Sequence, residues 1–404
     1  MSKVRRVVTA LGLAAAVALA AGCGGGGGSG GQPSGSQAQG GGSGGGEAAG
    51  TIRIGVQGPL TGNYAYEGTG FVRAITMLAD EINQAGGVNG KKIEILKEDD
   101  KGDPKEAALA AQKLVSQKVV AVVGSYSSSA TEPAQQIYAD AGILHITPSS
   151  TATKLSEKGI KTFFRTAFID DAQGRFAANF LVKELGKQKI ALVHDNSTYA
   201  KGLAEWTKKY VEENGAQVVF FDALNPKEKD FSPLLTKLKG TQPDAIFFTG
   251  YFSEGGLLLK QARDLGIEAT FAAGNANNNP EFFKIAGKDL AKQAIIVSEP
   301  MPVDLAAQNP DAKKFIDSYK QKYGEEPGSV WIVSAADAFR VIVEAITKTG
   351  KTDGKALAEY LHTQLKDFPG LTGPINFNEK GDRTGTIHRA YTFDDNGTLV
   401  PFKK

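Results

Sequence analysis

Two clusters of small hydroxyl residues carry the chemistry this sequence can most readily do. Ser125, Ser127, Ser128 and Ser129 follow an apolar run, Val119 to Val123, that ends at Gly124. Thr147, Ser149, Ser150 and Thr151 follow a second apolar run, Ile143 to Ile146. Small residues leave backbone N–H groups open, and together with hydroxyls these suit an anion, above all a carboxylate. Between the clusters Ala134, Ile137, Tyr138 and Ala141 recur at helical spacing. A helix there would aim its positive end at the first cluster. Taken alone, Ser127 to Ser129 read as helix caps, with Pro133 in the first turn. Two such loops ending successive strands read as a site.

The loops need a frame to hold them. Continuous apolar runs fit parallel strands covered on both faces, and ligands of open parallel sheets lie beyond the carboxyl ends of the strands. The chain from Thr51 onward repeats strand and helix patterns. Ile52 to Val56 reads as a strand; Phe71, Ile75, Leu78 and Ile82 mark one face of a helix that Gly86-Gly87 stops. Lys92 to Lys97 is the next strand, and Asp103-Pro104 opens the next helix. After Thr151 come strands at Phe163 to Arg165, Ile190 to His194, Gln217 to Phe221, Ala245 to Thr249, Thr270 to Ala273 and Ala294 to Ser298, with helical patterns between most of them. Helices at Pro310 to Tyr323 and Val330 to Lys348 and strands at Gly373 to Phe377 and Arg389 to Phe393 close the chain. The alternation predicts an α/β protein of two doubly wound parallel-sheet lobes. Breaks near Phe168 to Asp171, at Glu299 to Pro302 and before Arg389 predict three hinge crossings. The first lobe is expected to comprise residues 51–169 plus 300–380, the second 170–299 plus 381–404.

The N-terminus reads as targeting. Lys3, Arg5 and Arg6 precede an apolar stretch, Val7 to Ala21, too short to span a bilayer comfortably. Leu19 to Cys23 reads LAAGC and resembles the lipobox of bacterial lipoproteins, with the large aliphatic residue one place early. The expectation is a lipoprotein signal peptide over residues 1–22, lipidation at Cys23, and a Gly-rich tether over 23–50, flexible enough to place its ends roughly 30 Å apart. Without residues 1–22 the chain keeps 43 basic against 44 acidic side chains.

That charge balance, and the lack of a basic run interleaved with aromatics, argue against nucleic acid. Cys23 is the sole cysteine, so no internal disulfide or cysteine-rich metal site can form. The histidines 145, 194, 362 and 388 lack metal-ligand spacing. Asp99-Asp100 has no third ligand nearby and reads as a loop cap. Gly350-Lys351-Thr352 lacks the first glycine of a phosphate loop, position 345 being alanine. No serine or cysteine has a sequence-evident base, so an enzyme is not expected, nor any catalytic residue, metal or cofactor.

Nine stretches in order, among them GPLTG (Gly58–Gly62), ADEINQAGGVNGKKIEI (Ala79–Ile95), SSSATEPA (Ser127–Ala134), GILHITPSST (Gly142–Thr151), VHDNSTYAKGLA (Val193–Ala204) and GPINFNEKGD (Gly373–Asp382), resemble the branched-chain amino acid binding proteins of bacterial ABC transporters, which have the type I periplasmic binding fold. The resemblance covers nearly all of Ile52 to Phe402. It implies a two-lobe clamp in which Ser128, Ser149 and Thr151 hold a ligand carboxylate while Tyr199 and Tyr251 close over it. The acidic residue that pairs with the ligand ammonium in that family aligns with Asn275, and an aromatic residue near the ligand side chain aligns with Glu67. Two explanations follow: Glu67 supplies the missing carboxylate, or the ligand has no ammonium. Glu67 also reads as a solvated residue favoured by a helix dipole.

The resulting expectation is a monomeric, lipid-anchored extracytoplasmic solute receptor in a bacterial envelope. It would bind a branched-chain or related amino acid or small carboxylate and serve an ABC permease. The alternatives are a sensor module feeding a membrane signalling protein and, far behind, a cleft hydrolase.

Overall fold

A computed structural model describes residues 50–403. The expected leader, Cys23 and the tether through residue 49 lie outside the described residues. The first five strands are β1 (Ile52–Gly58), β2 (Ile93–Asp99), β3 (Ala121–Val123), β4 (Leu144–Thr147) and β5 (Phe163–Arg165). They form one parallel sheet in the order β2-β1-β3-β4-β5. The next five are β6 (Lys189–His194), β7 (Gln217–Ala223), β8 (Ala245–Phe248), β9 (Thr270–Ala273) and β10 (Ile295–Ser298). They repeat the same parallel order as β7-β6-β8-β9-β10. After a small hairpin, β11 (Phe368–Gly370) and β12 (Gly373–Ile375), the strands β13 (Arg389–Phe393) and β14 (Leu399–Pro401) extend the second sheet antiparallel to β10.

The physical reason for two parallel sheets is visible strand by strand. β3, β4, β8 and β10 are buried along their whole length, as strands must be when helices cover both faces. The helix Ala65–Gln84 buries Phe71 and Ile75 and packs on the helix Val330–Thr349, whose Phe339, Ile342 and Ile346 are buried in the same core. Gly70 permits their close approach: a Cβ there would lie 2.5 Å from Ile332 Cδ1. The helix Pro104–Ser116 starts as its sequence predicts, with the Asp103 carboxylate accepting from the Lys105 and Glu106 amides.

The chain passes between the sheets three times: between Arg165 and Asp170, after Ser298, and before Arg389. The second passage returns through the helices Pro302–Gln308, Pro310–Tyr323 and Val330–Thr349 to the first sheet. Pro302, expected as part of an irregular crossing, opens the first of these helices, at the position where its missing N–H costs nothing. The helix beginning at Asp170 widens into a π turn over Phe180–Glu184 before ending. Gly350 is not part of a phosphate loop: at φ 66° it is the left-handed cap of the helix before it, its N–H bonded to Ile346 O. Asp99 accepts from the Leu60 and Lys101 amides and the Thr61 hydroxyl, so it holds a loop and no metal. Among the described residues no group of three or more acidic, histidine or cysteine side chains is placed to hold a metal ion, and no helix is long and apolar enough to cross a membrane.

Candidate functional site

The loops leaving the carboxyl ends of β3 and β4 in the first sheet and of β6, β8 and β9 in the second enclose one small cavity. Its walls are Tyr126, Ser128, Ser149, Tyr199, Tyr251, Asn275, Ala276 and Trp331, and its volume is about 10 Å³. That is room for about one water, so the halves must part to admit anything the size of an amino acid. A larger open groove of about 600 Å³ lies beside it, lined by Thr153, Asn196, Lys201 and Trp206 among others. Its charged side chains are at the surface, and it lacks the buried polar groups of the closed cavity.

The first wall is built from the two hydroxyl loops. Gly124, at φ 141° and with its Cα against the Gln57 carbonyl, takes a position where a Cβ would lie 2.0 Å from that oxygen. Ser127 caps the helix Ser128–Asp140, accepting from the Ala130 amide at 3.3 Å. The cap reading therefore holds for this serine. Ser128 Oγ accepts from the Ala152 amide at 3.3 Å, tying one loop to the other. Ser149 Oγ donates to Tyr126 O at 2.9 Å, and Thr147 Oγ1 donates to Ser125 O at 2.9 Å. Ser129 reaches across the cleft: its Oγ accepts from the Thr198 amide at 3.0 Å.

The second wall comes from the ends of β6, β8 and β9. Ser197 caps the helix Thr198–Glu213, which carries Tyr199 in its first turn. Tyr199 OH donates to Asn275 Oδ1 at 3.0 Å. Tyr251 lies between rings of both halves, its centroid 5.5 Å from Tyr199, 5.8 Å from Tyr126 and 4.7 Å from Tyr64. Such tilted packing gives a rigid apolar box with hydroxyl handles. Burial, the largest cause in each case, pushes all four phenols up, so they are neutral donors at any physiological pH.

Five of the seven sequence-predicted binding residues, Ser128, Ser149, Tyr199, Tyr251 and Asn275, line the one cavity. Thr151 and Glu67 do not. Thr151 is buried beside Asp170, whose amide donates to Thr151 O at 3.0 Å. Glu67 is not a solvated residue, which corrects that alternative. It is fully buried in the first turn of its helix, accepting from Asn279 Nδ2 and Ser329 Oγ, each at 2.6 Å. Burial pushes its carboxyl up to about 7 against the pull of those two donors.

Sequence reasoning missed three residues. Tyr126 stood unremarked among serines. Trp331 reaches the cavity only because the chain returns to the first sheet, and no local signal places it. Asp170 lies in the expected break at Phe168 to Asp171 and opens a helix there. It is fully buried, and neither carboxylate oxygen meets a donor in hydrogen-bond geometry; the Thr151 hydroxyl is the neighbouring group. Burial pushes it up to about 7, with the Thr151 hydroxyl and the Arg165 guanidinium pulling down and Glu299 adding to the rise. Its charge is among the causes, after burial, that raise Tyr199 and Tyr251. Arg165 itself is fully buried, paired with Asp382 at 2.7 Å and donating to Ser150 O and Ala152 O at 2.9 and 3.0 Å. It thereby fixes the second hydroxyl loop from behind.

Comparison with known proteins bears on this geometry. The family model described as Periplasmic binding protein matches residues 51–397. A leucine-, isoleucine-, valine-, threonine- and alanine-binding protein of Pseudomonas aeruginosa is 37% identical over 356 residues, 88% of this chain and 93% of the relative. The crystal structure of a leucine binding protein from Thermotoga maritima superposes with TM-score 0.80 at 30% identity, covering 87% of this chain and 98% of that one. The branched-chain amino acid transporter substrate binding protein of Streptococcus pneumoniae, solved with isoleucine, gives TM-score 0.76 at 34% identity over 86% of this chain and 97% of its own.

Proposed function

This chain belongs to the periplasmic binding protein family, whose members are extracytoplasmic solute receptors and not enzymes, and from that premise we propose that it binds a branched-chain or related aliphatic amino acid between its two halves for an ABC importer. The observation that carries the reading is the set of groups gathered at one cavity. Ser128 and Ser149 stand on one side, Tyr199, Tyr251 and Asn275 on the other, with Trp331 and the tyrosine rings making the remainder apolar. Hydroxyls and backbone amides at a helix N-terminus suit the ligand carboxylate. The unpartnered Asp170 carboxylate, beside Thr151, suits an ammonium, since a buried acceptor without a donor is costly until one is supplied. The aligned acidic residue is replaced by Asn275, yet a carboxyl group stands at the first crossing.

In this reading residues 51–169 plus 300–380 form one lobe and 170–299 plus 381–404 the other, with the ligand favouring the closed state because it touches both. Isothermal titration of the purified protein with leucine, isoleucine and valine tests it. Micromolar or tighter binding of at least one is the expected result, and no heat with any of the three, confirmed by unchanged melting, sinks it. The finer proposal is a lipid anchor at Cys23 that holds the receptor near its permease, two acyl chains giving stable attachment where one is marginal. Cys23→Ala should move the protein from the membrane pellet to the soluble fraction; retention in the pellet would refute the anchor.

A further inference from the structure

Asn275 can face a ligand in two ways, and the structure contains the residue that chooses between them. Glu299, at the second crossing directly after β10, is 4% exposed and does not line the cavity. Both of its carboxylate oxygens lie 3.3 Å from Asn275 Nδ2. An ionised carboxylate has only lone pairs to offer, so the edge of the amide turned toward it must be the NH2 edge. The opposite edge, the carbonyl, is then turned toward the cavity, where it accepts from Tyr199 OH at 3.0 Å. Glu299 also meets the third crossing: His388 Nε2 lies 3.6 Å from Glu299 Oε1. The contact between second and third crossings thus reaches the cavity wall through one amide.

We propose that Glu299 is a specificity-determining residue of the cleft that acts through Asn275, locking its carbonyl edge toward the ligand and so selecting an α-ammonium over an α-keto group. The inference rests on the amino-acid reading of the cavity. A keto oxygen placed where an ammonium would sit meets the Asn275 carbonyl lone pair to lone pair. An ammonium donates to it. Replacing Glu299 with glutamine removes the lock, because a glutamine amide can accept from the Asn275 NH2 or donate to its carbonyl. The Asn275 amide is then free to rotate its NH2 edge toward the cavity, and the keto acid gains a donor. A role confined to holding the hinge would weaken both ligands alike.

The test is titration calorimetry of the purified protein with leucine and with its keto analogue, 4-methyl-2-oxopentanoate. Wild type should prefer leucine. Glu299→Gln should narrow the ratio of affinities about tenfold or more by weakening leucine while leaving the keto acid unchanged or tighter. In an Asn275→Leu background the same substitution should change the ratio little, because the amide that transmits it is gone. Equal weakening of both ligands by Glu299→Gln, or an unchanged ratio, overturns the proposal. Asn275→Leu alone keeps Glu299 itself and must narrow the ratio too; an unchanged ratio there overturns the proposal even if Glu299→Gln does not fold. Wild type that binds no amino acid overturns the amino-acid reading itself, before any variant is made.

Discussion

Glu67 and Asp170 share burial and differ in everything else that matters. Both are fully buried, and both are pushed up to about 7 with burial as the largest cause. Glu67 spends its acceptor capacity on Asn279 and Ser329, at 2.6 Å each. Those partners join the loop after β9 to the start of the helix Val330–Thr349, so Glu67 is a strut between the two halves. Asp170 has the Thr151 hydroxyl beside it but no donor in hydrogen-bond geometry. A strongly perturbed carboxyl in a cleft is a candidate site residue on general grounds, yet the perturbation is the same for both. What separates them is unmet hydrogen-bonding capacity, which a folded protein rarely leaves without a reason.

The comparison breaks most decisively at Asp170. Asp170→Asn removes the negative charge that would face a buried ammonium, a loss of several kcal/mol when one partner of a buried pair is deleted. Leucine affinity should fall about a hundredfold or more, while the melting temperature without ligand, measured at pH 8, should rise or hold. A variant that binds as wild type does would move the counter-charge elsewhere. The hydroxyls come next. Ser128→Ala should weaken leucine roughly tenfold, the scale of one charge-assisted hydrogen bond, and Thr151→Val, at a residue outside the cavity wall, should weaken it less. They should differ without ligand: Ser128 holds the Ala152 amide and its loss should lower the melting temperature slightly, whereas Thr151 Oγ1 has no hydrogen-bond partner. Equal destabilisation by both would mean Thr151 is a cap.

Glu67 is the sharpening control. Glu67→Gln keeps an acceptor for Asn279 and turns an NH2 toward the Ser329 hydroxyl, which can accept it, so only the charge-assisted strength of the strut is lost and the protein should lose about 1 kcal/mol of stability. Leucine affinity should change by less than about threefold, with no preference against the amino acid. A selective loss of leucine relative to its keto analogue would instead make Glu67 the counter-charge.

The unequal legibility of these two residues has a physical cause. Strand ends were readable because apolar runs closed by Gly or by hydroxyl residues are local signals; β5 and β9 fall where the sequence puts them. The hydroxyl loops were readable because each directly follows such an end; Tyr199, Tyr251 and Asn275 came from the family resemblance. Short helices such as Lys154–Glu157 and Gly354–Thr363 were not, since four to ten residues give little periodicity. Trp331 and Asp170 depend on how the crossings bring distant segments together. Asp170 at a helix start looks like any first-turn acid, and only the packed structure shows that Thr151, Arg165 and Tyr199 surround it. Glu67 misled in the opposite sense: its helix-start position predicted solvent, and the burial comes from Asn279 and Ser329, both more than two hundred residues away.

The smallest effect separates the two carboxyls most cleanly, because it counts protons. An exposed carboxyl titrates near 4, and Asp170 in the folded protein titrates at about 7. Between those values the folded protein holds a proton that the unfolded chain has released. Stability from this group therefore falls as pH rises through that window and levels off above about 7. Glu67 acts in the same direction, so melting curves alone do not distinguish them. Ligand does. A bound ammonium favours the charged form of Asp170 and expels its proton, so affinity should rise with pH toward 7 by at most about tenfold per unit. Titration at pH 6 in buffers of different protonation enthalpy should show up to about one proton released per leucine. Glu67→Gln should keep that release and Asp170→Asn should abolish it. The reverse pattern would make Glu67 the group that meets the ammonium and Asp170 the strut.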